Sequence, residues 1–95
     1  MAQVVARNGF ITAGVASVLV SDLNPSRVTL DIVNDSDTVI YLALAPEAVL
    51  NQGIRLNALG GSYEINLVNP YYGKIAAISA GATKVLAVME TSYAD

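Results

Sequence analysis

The chain is 95 residues long, carries a formal net charge of −3, and is 54% hydrophobic but only 14% charged. This length allows one domain, because single domains commonly run to about 100–150 residues. Soluble domains are typically about 25% charged, so the surface is expected to be poor in charge and to contact other proteins. The five cations are scattered along the chain, which argues against the concentrated basic face that nucleic acid requires.

The sequence contains neither histidine nor cysteine. It therefore lacks the commonest general base, the thiolate nucleophile and the usual zinc ligands, and we expect no enzymatic activity, no cofactor and no metal. Asp31, Glu64 and Glu90 lie in predicted strands, and alternation with apolar neighbours predicts that all three carboxylates face solvent. The longest uncharged segment, between Arg7 and Asp22, is shorter than the roughly 20 apolar residues of a transmembrane helix, so no membrane association is expected.

The first half of the chain contains three strand signals. Residues 12–20 combine β-branched and small side chains before a cluster of turn formers. Residues 27–34 alternate apolar and polar side chains, as a strand with one buried face does. Residues 34–37 are turn formers, and we predict that they join this strand to residues 38–45 as a hairpin. The second arm is apolar on both faces, which is typical of a central strand.

The second half continues the same pattern. Residues 46–53 are predicted to form a loop, because proline and glycine bound the segment closely. Residues 54–56 and 62–68 are predicted strands on either side of a diglycine turn, and residues 74–79 and 83–91 a closing hairpin. About six to seven short strands without helical periodicity predict an all-β fold, either a small antiparallel β-sandwich or a jelly-roll-like barrel.

Two adjacent tyrosines follow the Asn69-Pro70 break. Tyrosine combines a large contact area with a polar tip and is enriched at interfaces and at surfaces that stack on sugars. We therefore predict Tyr71, Tyr72 and Asn69 as interface residues, the alternative being that one of the tyrosines caps the end of the core. In a second functional hypothesis the domain is a carbohydrate- or surface-binding module, in which the tyrosines stack on sugar rings and Asn69 supplies hydrogen bonds.

Three segments are familiar when taken in order: RVTLDIVNDSDTVIYLAL, NQGIRLNALGGSYEI and GKIAAISAGATKVLAVMET. Their order and spacing resemble the small β-sandwich structural proteins in virions of tailed bacteriophages, of the decoration or head-fibre-base type. The resemblance implies a homo-oligomer that is assembled in the host cytoplasm and decorates or stabilises the capsid or tail. It also implies contacts with the major capsid protein or other virion proteins, and no catalytic residues.

The resemblance covers residues 27–90, which are expected to form the core sandwich of a single β domain spanning residues 1–95. Residues 1–24 lie outside it. They form either an N-terminal arm, which anchors the subunit or is exchanged with a neighbour, or an ordinary first strand.

Overall fold

The computed structural model describes residues 3–94, and the eight elements it forms there are all β-strands. Their bounds are β1 (Val4–Ala13), β2 (Val18–Ser21), β3 (Arg27–Asn34), β4 (Ile40–Ala43), β5 (Ile54–Leu56), β6 (Ser62–Ile65), β7 (Ile75–Ser79) and β8 (Lys84–Tyr93). They form two four-stranded antiparallel sheets, in the orders β1-β8-β3-β6 and β2-β7-β4-β5. The all-β sandwich is confirmed, with one strand more than the highest number predicted.

The core lies between the two sheets and consists mainly of aliphatic side chains that alternate along the strands. Leu30 and Ile32 of β3 face Ile40 and Leu42 of β4 across it, and all four are fully buried. β4 is an interior strand of its sheet, between β7 and β5, as its apolar character on both faces predicted. Residues 3–94 include no helix that is long and apolar enough to span a membrane.

Both predicted hairpins are wrong, because in each case the two strands belong to different sheets. The turn after β3 carries the chain across the core to β4, and the turn after β7 carries it back to β8. In each pair, both strands have a strongly apolar face, and these two faces cover the same core from opposite sides. Turn-forming residues indicate that the chain reverses, but they do not determine which strand it pairs with after the turn.

A buried asparagine holds the first of these crossovers. The Asn34 side chain is inaccessible to solvent, and its Nδ2 donates to the carbonyls of Thr38 at 2.8 Å and Leu56 at 3.0 Å. Its Oδ1 accepts from the backbone N–H and the hydroxyl of Ser36. One side chain at the end of β3 therefore organises the turn and connects it to β5 in the other sheet.

The strand predicted over residues 12–20 is also wrong, because this segment contains the end of one strand and the beginning of another. β1 ends at Ala13 and β2 begins at Val18, and the two strands lie in opposite sheets. The residues between them are small or exposed, and Ser17 Oγ accepts from the backbone N–H of Ala48 at 2.8 Å. β1 itself pairs with β8 over its full ten residues.

Candidate interaction surface

A buried ion pair lies on the inner face of the sandwich, near the end where β1 and β3 begin. Arg27 Nε donates to Glu90 Oε2 at 2.7 Å, and both residues are buried. The remaining guanidinium N–H groups donate to the hydroxyl of Ser21 and to the carbonyls of Asp22, Tyr71 and Gly73. All five donors of the guanidinium are thus used. The ion pair holds the β2–β3 connection and the loop before β7 against β8.

Arg27 points inwards because β3 contains a β-bulge. Arg27 lies opposite Ser92 and Thr29 opposite Thr91, so two steps along β3 match one step along β8. A one-residue shift of register reverses the face of every residue before it. Arg27 therefore shares the inner face with Leu30, although simple alternation would place it outside.

The carboxylates predicted to face solvent divide into two groups. Asp31 and Glu64 lie opposite each other on the outer face of β3 and β6, where Glu64 is exposed and Asp31 half-buried. Glu90 is only 5% exposed, so the prediction is wrong for this residue. The alternation in β8 could have predicted this burial, because Glu90 is in phase with Leu86 and Val88, which face the core.

The surroundings of Glu90 keep it charged. Burial on its own would raise the pKa of this carboxyl, but hydrogen bonds from Arg27, Asn24 and Ser21, together with the charge of Arg27, hold the pKa below its usual value. The second oxygen, Oε1, accepts from Arg7 Nη2 at 3.1 Å. Because the Arg7 side chain is 83% exposed, it covers the carboxylate from the solvent side.

A cleft opens between β1 and β2, the strands at one edge of each sheet. It consists of two adjoining pockets of about 310 and 390 Å³, and both are lined by Arg7, Ser21 and Glu90. Ile11, Val20 and Val88 add apolar side chains to the first pocket. Within residues 3–94 every buried side-chain nitrogen and oxygen has a hydrogen-bond partner. The buried polar groups of the cleft therefore have partners within the chain.

Within residues 3–94, β1 pairs on one side only, and the hydrogen bonds show which of its residues face the other side. The N–H of Ala94 donates to the carbonyl of Gln3 at 2.7 Å, so residues 3 and 94 form a hydrogen-bonded pair, and such pairs alternate along an antiparallel ladder. The odd-numbered residues of β1 therefore bond to β8. The free N–H and C=O groups belong to the even-numbered residues Val4, Ala6, Asn8, Phe10 and Thr12.

Exposed apolar side chains concentrate beside this free edge. Among residues 3–94, fourteen large hydrophobic side chains are exposed, and seven lie on or next to β1 and β2: Val4, Val5, Phe10, Val15, Leu19, Leu23 and Tyr93. Phe10 is 68% exposed, and the only charged side chain on β1 is that of Arg7. Apolar patches of this kind mark sites of contact with other proteins. We call the free edge of β1, together with these seven side chains, the β1 surface.

The three predicted interface residues have different surroundings. Tyr71 packs against the core and its hydroxyl donates to the carbonyl of Lys74 at 2.9 Å, as the alternative of a core cap requires. Asn69 Nδ2 donates to Tyr63 Oη and to the carbonyl of Glu64, both at 3.0 Å. Tyr72 is 44% exposed. An interface or sugar-binding role for these residues stays a prediction.

Sequence reasoning did not identify the β1 surface as a candidate site. It placed the first strand eight residues late, and it therefore missed the edge to which Arg7 and Phe10 belong. The available signal was a pair of β-branched residues, Val4-Val5, and the pair Phe10-Ile11, which the turn-forming Asn8-Gly9 separates.

The comparisons with known proteins are informative about the fold. No model of a known protein family matches the chain, and no curated protein matches it. A solved structure from Bacillus endospore appendages, which form a novel family of disulfide-linked pili, is similar to this chain with a TM-score of 0.59. The similarity covers 98% of this chain and 89% of the other at 13% sequence identity. At that identity the similarity shows a shared fold.

Proposed function

We propose that this chain is a non-enzymatic structural subunit of a bacteriophage virion, which decorates or stabilises the capsid or tail through contacts with copies of itself and with other virion proteins. The observation that carries the proposal is the β1 surface, a ten-residue open edge together with half of the exposed large hydrophobic side chains, which lie on or next to β1 and β2. An open apolar edge favours uncontrolled pairing in a free molecule. Burying it against another subunit removes that liability and stabilises a small domain.

The virion setting rests on the resemblance over residues 27–90. The appendage structure with a similar fold is described as a disulfide-linked pilus, and this supports a role in an assembly without identifying a partner. The 95 residues contain no cysteine, so contacts that they form between subunits are non-covalent in this proposal.

The polar groups of the cleft support a structural rather than a catalytic role. A general base or nucleophile needs a lone pair or proton that is accessible to a substrate. Here Glu90 accepts hydrogen bonds on both oxygens, and the five donors of Arg27 all have partners. This arrangement stabilises the β1 side of the sandwich and leaves the apolar side chains as its contact groups.

Sedimentation velocity over a concentration series tests the assembly role. We expect the full chain to associate, and we expect V5S combined with F10S to weaken the association. The matched control combines L59S with V68S, which removes two exposed apolar side chains far from β1 in sequence and structure. A chain that is monomeric at every concentration, or equal weakening by both double variants, would contradict the role of the β1 surface.

Mass spectrometry of gradient-purified phage particles, produced by a strain that encodes this chain, tests the virion setting. We expect its peptides in intact particles, in a fixed ratio to those of the major capsid protein. Their absence from particles, in a strain where the chain is expressed and associates, would reject the virion setting and leave a different assembly as the function.

A further inference from the structure

We infer that two copies of this chain pair antiparallel through their β1 strands, about a two-fold axis at Asn8, so that two four-stranded sheets join into one continuous sheet. The inference rests on the proposed function, because it names the partner of the β1 surface as a second copy. The inference specifies the register in which the two β1 strands pair. Two observations determine it: the direction of the free hydrogen-bonding groups and the side chains that this register places opposite one another.

The hydrogen bonds restrict the registers that are possible. Only even-numbered residues of β1 direct N–H and C=O groups to the free edge, so each hydrogen-bonded pair between copies joins two even-numbered residues. Centring the pairing on Asn8 uses all of them. Asn8 then lies opposite its own copy, Ala6 opposite Phe10, and Val4 opposite Thr12.

The same register matches the side chains by size and charge. On the outer face the large Phe10 ring lies beside the small Ala6 of the other copy, and the two Asn8 amides meet at the axis. On the inner face Arg7 lies opposite Gly9, and Val5 opposite Ile11. Aliphatic and aromatic cross-strand pairs stabilise a sheet, whereas like charges directly opposite destabilise it.

Neighbouring registers are worse by the same criteria. A register centred on Arg7 would place the two arginines directly opposite each other at the axis. A register centred on Gly9 would leave Val4 without an opposite residue inside the strand and place Asn8 against Phe10. The pairing centred on Asn8 is the one that overlaps the five even-numbered positions completely.

The other three sheet edges suit this partner less well. β2 and β6 contain four residues each and β5 contains three, against ten for β1. At the β6 edge, the outward carbonyl of Glu64 already accepts from Asn69 Nδ2. The length of β1 and its free hydrogen-bonding groups make it the best template for a second copy.

A single introduced thiol tests the register, since the chain has no cysteine of its own. N8C places the two thiols on residues whose Cα atoms are about 5.5 Å apart in a hydrogen-bonded pair, within the usual disulfide range of about 4.4–6.8 Å. We expect mild oxidation to produce a disulfide-linked dimer of the full chain.

The matched controls lie on the same strand and face. V4C and T12C are both exposed, but in the inferred register each is eight residues from its own copy, about 26 Å away. We expect neither variant to cross-link alone, whereas a mixture of the two should cross-link heterogeneously, since Val4 lies opposite Thr12. Cross-linking of V4C alone as fast as N8C would indicate random collision and overturn the inference.

A second variant measures the dimer without oxidation. N8K places two ammonium groups directly opposite each other at the axis, and we expect the dissociation constant of the dimer, measured by sedimentation velocity over a dilution series, to rise about tenfold. A82K is the control, since Ala82 is exposed in the β7–β8 connection, and it should leave the dissociation constant unchanged.

The outcomes separate this inference from the proposed function. If V5S combined with F10S weakens the association, but N8C fails to cross-link and N8K associates as tightly as the unmodified chain, the copies do not meet in this register; the inference is then wrong and the proposed function stands. A chain that is monomeric throughout contradicts both.

Discussion

The two edges of the sheet that contains β1 differ in length and protection. β6, at one edge, has four residues, carries the exposed Glu64 carboxylate, and has the outward carbonyl of Glu64 capped by Asn69. β1, at the other edge, has ten residues, one charge, and no cap among the described contacts of residues 3–94. Short strands, charges and covering loops are the usual ways to prevent edge pairing. The chain uses them at β6 and omits them at β1.

The open edge is nevertheless firmly held from the inside. Glu90 of β8 lies directly opposite Arg7 of β1, and behind it Arg27 connects β3, β8 and two loops. A fully hydrogen-bonded buried network rigidifies the structure around it. An edge that is open to pairing and rigid is better prepared to bind a partner than a flexible one, because less order has to be created on binding.

The largest expected effect comes from removing the buried charge behind the open edge. R27M leaves Glu90 without its main partner, and breaking a buried ion pair from one side costs about 3–5 kcal/mol. Urea denaturation measures the loss of unfolding free energy. R7M is the matched control, because its partner is the same carboxylate but its side chain is exposed, and it should cost less than about 1 kcal/mol. Equal losses for the two variants would contradict the assignment of Arg27 as the main partner of Glu90.

Two adjacent prolines test which groups of β1 face outwards. G9P removes an N–H that bonds to β8, and we expect a loss of about 1–3 kcal/mol in unfolding free energy. N8P removes an N–H on the free edge, where proline is tolerated, and should cost less than about 1 kcal/mol. The Cβ of a side chain at residue 9 would contact nothing within 4 Å. Chemical denaturation in dilute solution measures both losses. A larger loss for N8P than for G9P would contradict the assignment of odd-numbered residues to the β8 side and even-numbered residues to the free edge.

Removing the cap of the protected edge should have a smaller effect. N69A loses the hydrogen bonds to Tyr63 Oη and to the Glu64 carbonyl, and we expect a cost of about 0.5–1.5 kcal/mol by thermal or chemical unfolding. V68A is the control, because Val68 is 94% exposed and should be neutral. A neutral N69A would show that β6 is protected by its length and charge alone.

The smallest effect concerns the like charges at the β6 side. Partial burial, followed by the negative charge of Glu64, raises the pKa of Asp31 above its usual 3.8. The folded chain therefore binds this proton more tightly than the unfolded chain does, and ionised Asp31 costs stability as the pH rises through this range. D31N should stabilise the domain at neutral pH by about 0.2–1 kcal/mol. The gain should shrink as the pH falls through the raised pKa of folded Asp31 and vanish below the usual value of 3.8, which unfolding curves across pH would show; a constant gain would exclude titration as its cause.

Alternation along the chain predicted part of the set of strands that form the core. Residues 27–34 and 54–56 form strands as expected, and the all-β sandwich follows from short strands separated by turn formers. These features depend on local pattern, because a strand with one buried face has a period of two whatever its neighbours are. Composition likewise indicated that more apolar surface exists than one small core can bury.

The tertiary structure decided which strands pair and which faces are buried. The turns after β3 and β7 look like hairpin turns, yet they cross between sheets, because the strands they join cover the core from opposite sides. The bulge at Arg27 and the burial of Glu90 depend on each other across 63 residues, and no local pattern records such a pair. Pairing and charge burial are non-local, so only the assembled sheets show that β1 is the open edge.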